Sequence, residues 1–213
     1  MSADEASIAR WLRALPTIPA DADDIDVSAL PEDPFDMLVG RLRAAVAAGV
    51  PAAQAMTLTT ADADGPHART VILKDVADGH IAFATHAASP KAAQVAVDSR
   101  VALVFFWAGV GDQIRIEGTA VDLGDDASAA DFRARGPHSR ASALVGSPSR
   151  PLDDRAAHTT AYADALARAG DDPDLVEPQW RAYGVTPTRV ELWHSSRAGQ
   201  VRVNYVSDGH GGW

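Results

Sequence analysis

Two lysines and an arginine frame the stretch of this chain that could do chemistry, Arg69 to Lys91: RTVILKDVADGHIAFATHAASPK. The β-branched, apolar run from Thr70 to Leu73 predicts a buried strand, with Arg69 at one end and Lys74 at the other. Side chains alternate faces along a strand, so residues 69 and 74, an odd number apart, serve different places. A second strand follows over 81–85. Ser89 then suits a helix N-cap and Pro90 the first helical position, and AAQVAV continues the helix. Free N–H groups at such a start, with Lys91 in the first turn, attract a phosphate. Arg69 could supply a bidentate partner. The chain holds 17 Arg but two Lys, and both lysines fall in this stretch. By position alone each lysine reads as a solvated surface charge; what sets them apart is that they share one candidate anion site.

Other residue types narrow the chemistry. Gln113 opens an alternating strand beside a glycine turn, as an exposed strand end or as an amide that donates to and accepts from a heterocycle edge. Trp193, in LWH, reads as core packing or as a wall against an aromatic ligand. Arg202 alternates with Val201 and Val203, so it points away from the apolar face. Arg133, Arg135 and Arg140, with His138 and Ser139, surround a Gly-Pro break and offer either a second anion site or a solvated face. Seven histidines show no ligand-pair spacing. There are no cysteines, which excludes disulfides, thiolate catalysis and Cys-ligated metal. Neither a G-x-S-x-G elbow nor a glycine-rich nucleotide loop is present.

The elements that must position these residues follow from pattern. Residues 1–32 read as an N-terminal arm with a short helix near Ile8–Leu15 and an acidic, Pro-containing stretch that orders by packing on something. A helix begins at Asp33 or Pro34, carries Phe35, Leu38, Leu42 and Val46 at helical spacing, and stops at Gly49. Residues 55–74 form a hairpin around Asp64-Gly65. Arg100–Trp107 is a continuous apolar run, expected to be buried on both faces. Gln113–Leu123 alternates, with Ile114, Ile116 and Val121 on or near one face and a bulge suggested at Gly118. Helices are expected over 125–135, 138–145 and 153–169, then a strand pair over 181–194 and 200–206. Five strands in about 70 residues suit a small antiparallel barrel.

At 213 residues and 46% hydrophobic content the chain can bury a substantial core. A formal charge of −10 argues against general nucleic-acid binding. No apolar run approaches the roughly 20 residues of a membrane helix. The acidic, amphipathic N-terminus lacks a signal-peptide core, so cytoplasmic residence is expected.

With these residues laid out, the chain resembles the pyridoxamine 5'-phosphate oxidase-like FMN-binding split barrels from about Pro34 onward. The pieces that carry the likeness are ARTVILK at 68–74, FATHAASPK at 83–91, FFWAGVGDQIRIEG at 105–118 and RVELW at 189–193. The resemblance implies a mainly β fold with flanking helices, a six-stranded antiparallel split β-barrel spanning 33–213. It also implies a homodimer with FMN at the subunit interface. By position, Arg69, Ser89, Lys91 and Ser149 would hold the phosphate end. Thr70, Val71, Ile72, Leu73, Lys74 and Thr85 would line the flavin. Gln113, Trp193 and Arg202 would contact the ring region, some from the partner. Lys74, Arg135 and Ser139 match positions that bind the phosphate of the vitamin B6 substrate.

Departures from the family pattern fall beside the flavin positions as well as on the substrate side. Ala84, Pro90 and Pro148 replace an aromatic, an Arg and a Gln usual in the family. Asp131 stands where a Tyr of the substrate-phosphate set belongs. Aligned on Arg202 and Tyr205, the Arg and His of the oxidase signature become Ala198 and Gln200. The resemblance therefore implies FMN binding more strongly than vitamin B6 oxidation. Three functions follow: pyridoxamine or pyridoxine 5'-phosphate oxidase, an FMN oxidoreductase on another ring, or a non-catalytic flavin-binding dimer. No residue is assigned as catalytic.

Overall fold

The computed structural model describes residues 3–15, 22–146 and 148–213. Helix α1 covers Ala3–Ala14 and α2 covers Pro34–Ala47. Asp33 caps α2 by accepting from the Phe35 amide, and Gly49 follows its end in a left-handed conformation. Strands β1 (Ala55–Asp62), β2 (Gly65–Ile72), β3 (Asp75–Ala77) and β4 (His80–His86) lead to α3 (Pro90–Val97). Then come β5 (Arg100–Trp107), β6 (Asp112–Asp122), α4 (Gly124–Ala134), α5 (Pro137–Leu144), α6 (Arg155–Asp171), β7 (Trp180–Ser196) and β8 (Gly199–Val206).

All pairings are antiparallel, in the order β2-β1-β5-β6-β7-β4-β3, with β8 beside the second half of β7. The two ends of this path are joined by the chain itself. Leu73 N–H donates to Gln54 O next to β1, and Lys74 N–H donates to Ala82 O on β4. One bent strand thus changes partner between residues 73 and 74 and brings the sheet round into a split barrel. The short β3, absent from the sequence reading, is the far half of that strand.

Inside sit Met56, Leu58, Ile81, Phe83, Leu103, Phe105, Ile114, Ile116, Val185 and Leu192, all buried. Trp107 joins them and donates from its indole to Ala53 O at 2.8 Å. Burying roughly ten large side chains at about 1.5–3 kcal/mol each is the main drive for closing the barrel. Helix α2 lays Phe35, Leu38 and Leu42 of the expected stripe on this core, joined by Met37 and Ala45, while Val46 is exposed.

Strand β5 corrects another expectation. Its burial alternates, and Phe106 is 54% exposed. An antiparallel barrel strand has a single inner face, so the apolar outer row Ala102, Val104 and Phe106 is left on the surface. The bulge near Gly118 is real, but β7 carries the extra residue. Glu117 faces Arg189 and Gly118 faces Pro187, leaving Thr188 unpaired. Strand β6 therefore keeps its parity and turns Ala120 inward, while Val121 is exposed.

The arm packs on its own barrel: Ile25 and Leu30 cover the core, and Tyr205 Oη donates to Pro31 O. Across the barrel, α4 covers the start of β7 through a small cluster of Phe132, Ala143 and Trp180. None of the described helices is long and apolar enough to cross a membrane.

Candidate functional site

The first turn of α3 sits against the end of β4. Ser89 caps the helix by accepting from Ala92 N, and its hydroxyl lies 3.1 Å from Thr85 Oγ1. Lys91 Nζ donates to Thr85 Oγ1 at 3.2 Å. Arg69, on the inward parity of β2, donates to Thr60 Oγ1 at 2.6 Å and to Gln94 Oε1 at 2.7 Å. Lys91 thus lies in the first turn of α3 and Arg69 reaches Gln94 in its second turn. Neither forms an ion pair with a carboxylate among the described residues. Burial, then the neighbouring Arg69 charge, pulls Lys91 below the usual lysine range, and burial lowers Arg69 as well. Two partly desolvated, mutually repelling cations beside a helix start make a surface whose electrostatics favour an anion.

A cleft of about 440 Å³ opens beside this pair, lined by Thr70, Val71, Ile72, Lys74, Ala84, Thr85, Lys91, Arg135 and Ser139. Eight of the residues singled out in the sequence for cofactor or substrate contacts therefore meet on one surface. Arg69 stands behind it, and Leu73 turns toward the core. Lys74 is not free in this cleft. Its ammonium lies 3.2 Å from Asp131 Oδ1, and Asp131 Oδ2 accepts from the Trp180 indole at 2.8 Å. Arg135 stacks on the same indole, its guanidinium carbon 4.0 Å from the ring centroid, and donates to Ser139 O. Its buried Nε has no partner. Burial lowers Arg135, and Asp131 partly offsets this.

Arg135 and Thr85 also line a neighbouring cavity of about 410 Å³, with His86, Arg150, His158 and Trp180 on its other walls. Ser149 lies on the exposed turn at its rim, in a left-handed conformation, and lines neither space. The arginine cluster around Gly136-Pro137 does not form as a unit. Arg140 is buried and donates to the carbonyls of Ala169, Asp172 and Leu175, so it finishes the end of α6. Arg133 is exposed and reaches Asp174 O.

Gln113, Trp193 and Arg202 occupy one lateral row on the outer barrel face. Gln113 pairs with Trp193, Trp193 with Arg202, and Phe106 with Gln113. All four point away from the core, so the row extends the apolar patch left by β5. Within one chain no hydrogen bond joins this row to the Arg69–Lys91 group among the described residues.

Through the resemblance, sequence reasoning placed Asp131 in the substrate-phosphate set but did not foresee its ion pair with Lys74, and it missed Trp180 as the anchor. Local patterning carries no trace of a contact between residues 74, 131 and 180. It also missed Asp112, although Asp112 shares the parity of Ile114 and Ile116 and so had to point inward.

Residues 42–169 match the family model described as pyridoxamine 5'-phosphate oxidase. The pyridoxine/pyridoxamine 5'-phosphate oxidase of Bordetella petrii is 38% identical over 183 residues, covering 84% of this chain and 86% of that protein. The one from Anaeromyxobacter dehalogenans is 38% identical over 187 residues, 86% and 93% of the two chains. Among solved structures, PhzG from Burkholderia lata in complex with tetrahydrophenazine-1-carboxylic acid superposes with a TM-score of 0.82. Its identity is 26%, with 89% of this chain and 95% of that one covered. A pyridoxamine 5'-phosphate oxidase-related, FMN binding protein from Nostoc punctiforme, 19% identical with a TM-score of 0.66 over 80% and 91% of the chains, shares the fold. Barrel topology, the paired cations at the α3 start and these matches agree, and the chain belongs to the pyridoxamine 5'-phosphate oxidase family of split barrels.

Proposed function

We propose that the protein is an FMN-dependent oxidase of a planar ring carrying a carboxylate, and that vitamin B6 phosphates are poor substrates. The FMN phosphate fits the Arg69–Lys91 pair beside the α3 N-terminus, where two half-buried cations have no carboxylate partner among the described residues. The β2 edge from Thr70 to Ile72 gives the ring a flat wall. The row Gln113, Trp193 and Arg202 completes the pocket from a second copy, docked through the apolar outer face around Phe106.

The observation that carries the substrate reading is the Lys74–Asp131 ion pair. A dianionic phosphate ester entering there would meet the Asp131 carboxylate and would have to displace it from Lys74. Arg135 stays available, stacked on Trp180 with an unpartnered Nε, and suits a single carboxylate on an aromatic ring. The ligand of the Burkholderia lata neighbour has that chemistry. The chain positions the substrate. Ala198 and Gln200 offer neither the cation nor the imidazole that would orient a pyridine ring. Bound FMN supplies the two-electron acceptor, and oxygen takes the electrons afterwards.

The test compares oxygen uptake by the flavin-loaded protein with tetrahydrophenazine-1-carboxylic acid and with pyridoxine 5'-phosphate. The absorption spectrum and mass of the co-purifying cofactor are read first. Higher kcat/KM for the carboxylated ring is expected. A kcat/KM for pyridoxine 5'-phosphate of about 10⁴ M⁻¹s⁻¹ or more overturns the substrate reading.

A further inference from the structure

One buried ionic cluster plays no part in the clefts described above. Asp112, fully buried at the start of β6, accepts from Arg41 of α2 through one carboxylate oxygen at 2.6 Å. Its other oxygen lies 2.7 Å from Nδ1 of His194 near the end of β7. The second ring nitrogen of His194, Nε2, lies 2.9 Å from the Asp23 carbonyl. Both ring nitrogens therefore face oxygens that can only accept. A neutral imidazole has one N–H and can satisfy one of them. Both bonds form together when the ring carries two protons.

Charged groups surround the ring. Asp24 faces this corner from the arm; it is held below the usual carboxylate range by the Ser196 hydroxyl and the Ala198 amide, then by the charges of His194 and Arg197. Asp112 and Asp24 bring two negative charges, and Arg41 and the exposed Arg197 bring two positive ones, so the two accept-only oxygens carry the argument.

Position gives the cluster a consequence. Asp112 and His194 pair directly across β6 and β7, and the next pair along the ladder is Gln113 and Trp193. On the other side, the Asp23 carbonyl belongs to the segment Ala22–Pro31, which packs Ala22 near Gly111 and Ile25 on the core. We propose that His194 is held as the imidazolium and acts as a positioning residue, pinning Ala22–Pro31 to the barrel end beneath Gln113 and Trp193. When the ring loses a proton, the remaining N–H stays with the Asp112 carboxylate, the stronger acceptor. The Nε2 lone pair then faces the Asp23 carbonyl, and the arm is released. The pinned state therefore belongs to the acidic side of the titration and the released state to the alkaline side.

The test uses the full chain without added flavin, so its outcome is independent of the function proposed above. Two-bond ¹H–¹⁵N spectra report the protons on His194, and hydrogen exchange corrected for intrinsic rates reports protection of amides 22–30. Two protonated nitrogens are expected at about pH 6, with arm protection falling about tenfold or more by about pH 9, the worth of one charge-assisted hydrogen bond. His194→Gln should lose that protection at all pH values. Asp112→Asn should lose it near neutrality and regain it on acidification. A singly protonated ring at about pH 6, or wild-type protection that does not change with pH, overturns the proposal. The wild-type measurements decide it alone if either variant fails to fold.

Discussion

Asp131 Oδ1 lies 3.2 Å from Lys74 Nζ, and the same carboxylate is fastened at its other oxygen by the Trp180 indole. Both side chains are largely shielded, at 26% and 16% exposure, so the pair is weakly screened. One acid thereby neutralises a lysine that the family resemblance assigns to a substrate phosphate.

Asp131→Asn keeps an acceptor for Trp180 and removes the charge. Affinity for pyridoxal 5'-phosphate should then rise about tenfold or more, within the ~1.5–3 kcal/mol of a charge-assisted bond. Titration of the flavin-loaded protein measures it. Unchanged affinity would show that Lys74 never meets the phosphate.

Lys91→Ala should weaken FMN binding about 10- to 100-fold, and Lys74→Ala far less, because Lys91 has no carboxylate partner. Flavin fluorescence titration separates them; equal dissociation constants reject the division of roles.

Lys91 also sets a pH dependence. Burial and Arg69 hold it below the ordinary value of 10.5. In the flavin-free chain the unfolded state binds more protons between the lowered value and 10.5, so stability rises with pH across that window. A docked phosphate favours the ammonium form, so FMN affinity should fall across the same window. Lys91→Arg should flatten that fall. Dissociation constants measured from neutral to alkaline pH check the sign.

Phe106→Glu places a charge at the centre of the apolar outer row. It should convert a homodimer to monomers and cost flavin affinity in the same sample. A monomer mass for the wild-type chain by light scattering at micromolar concentration would reject the two-subunit pocket.

Gly118→Ala should destabilise by about 1–3 kcal/mol, seen as a lowered Tm. A Cβ at that position would collide with the Thr186 carbonyl and stand 2.9 Å from Pro187 Cα. Its backbone neighbours cannot swing aside as a flexible side chain would.

Local pattern determined most of the barrel. Alternation in 113–123, the apolar run over 100–107 and the Asp64-Gly65 turn of the 55–74 hairpin mark these strands, each with an apolar face to bury. The Ser89-Pro90-Lys91 start of α3 was legible for a similar reason, since caps are made by residues adjacent in sequence. Arg69 and Lys91 could be joined to one anion site because a single helix start needs a charge partner near it.

Contacts between distant residues were decided by the tertiary structure. The partner change between Leu73 and Lys74 depends on where β1 and β4 lie, and the extra residue at Thr188 depends on the path of β6. Asp131 reaches Lys74 across 57 positions of sequence, and His194 reaches Asp112 across 82. Charge pairs of that separation leave no period in the sequence, because the distance between them is set by the packing of whole elements. The chain's residue types thus placed two lysines near one candidate anion site; the fold decided that Lys74 pairs with Asp131 while Lys91 meets only a hydroxyl.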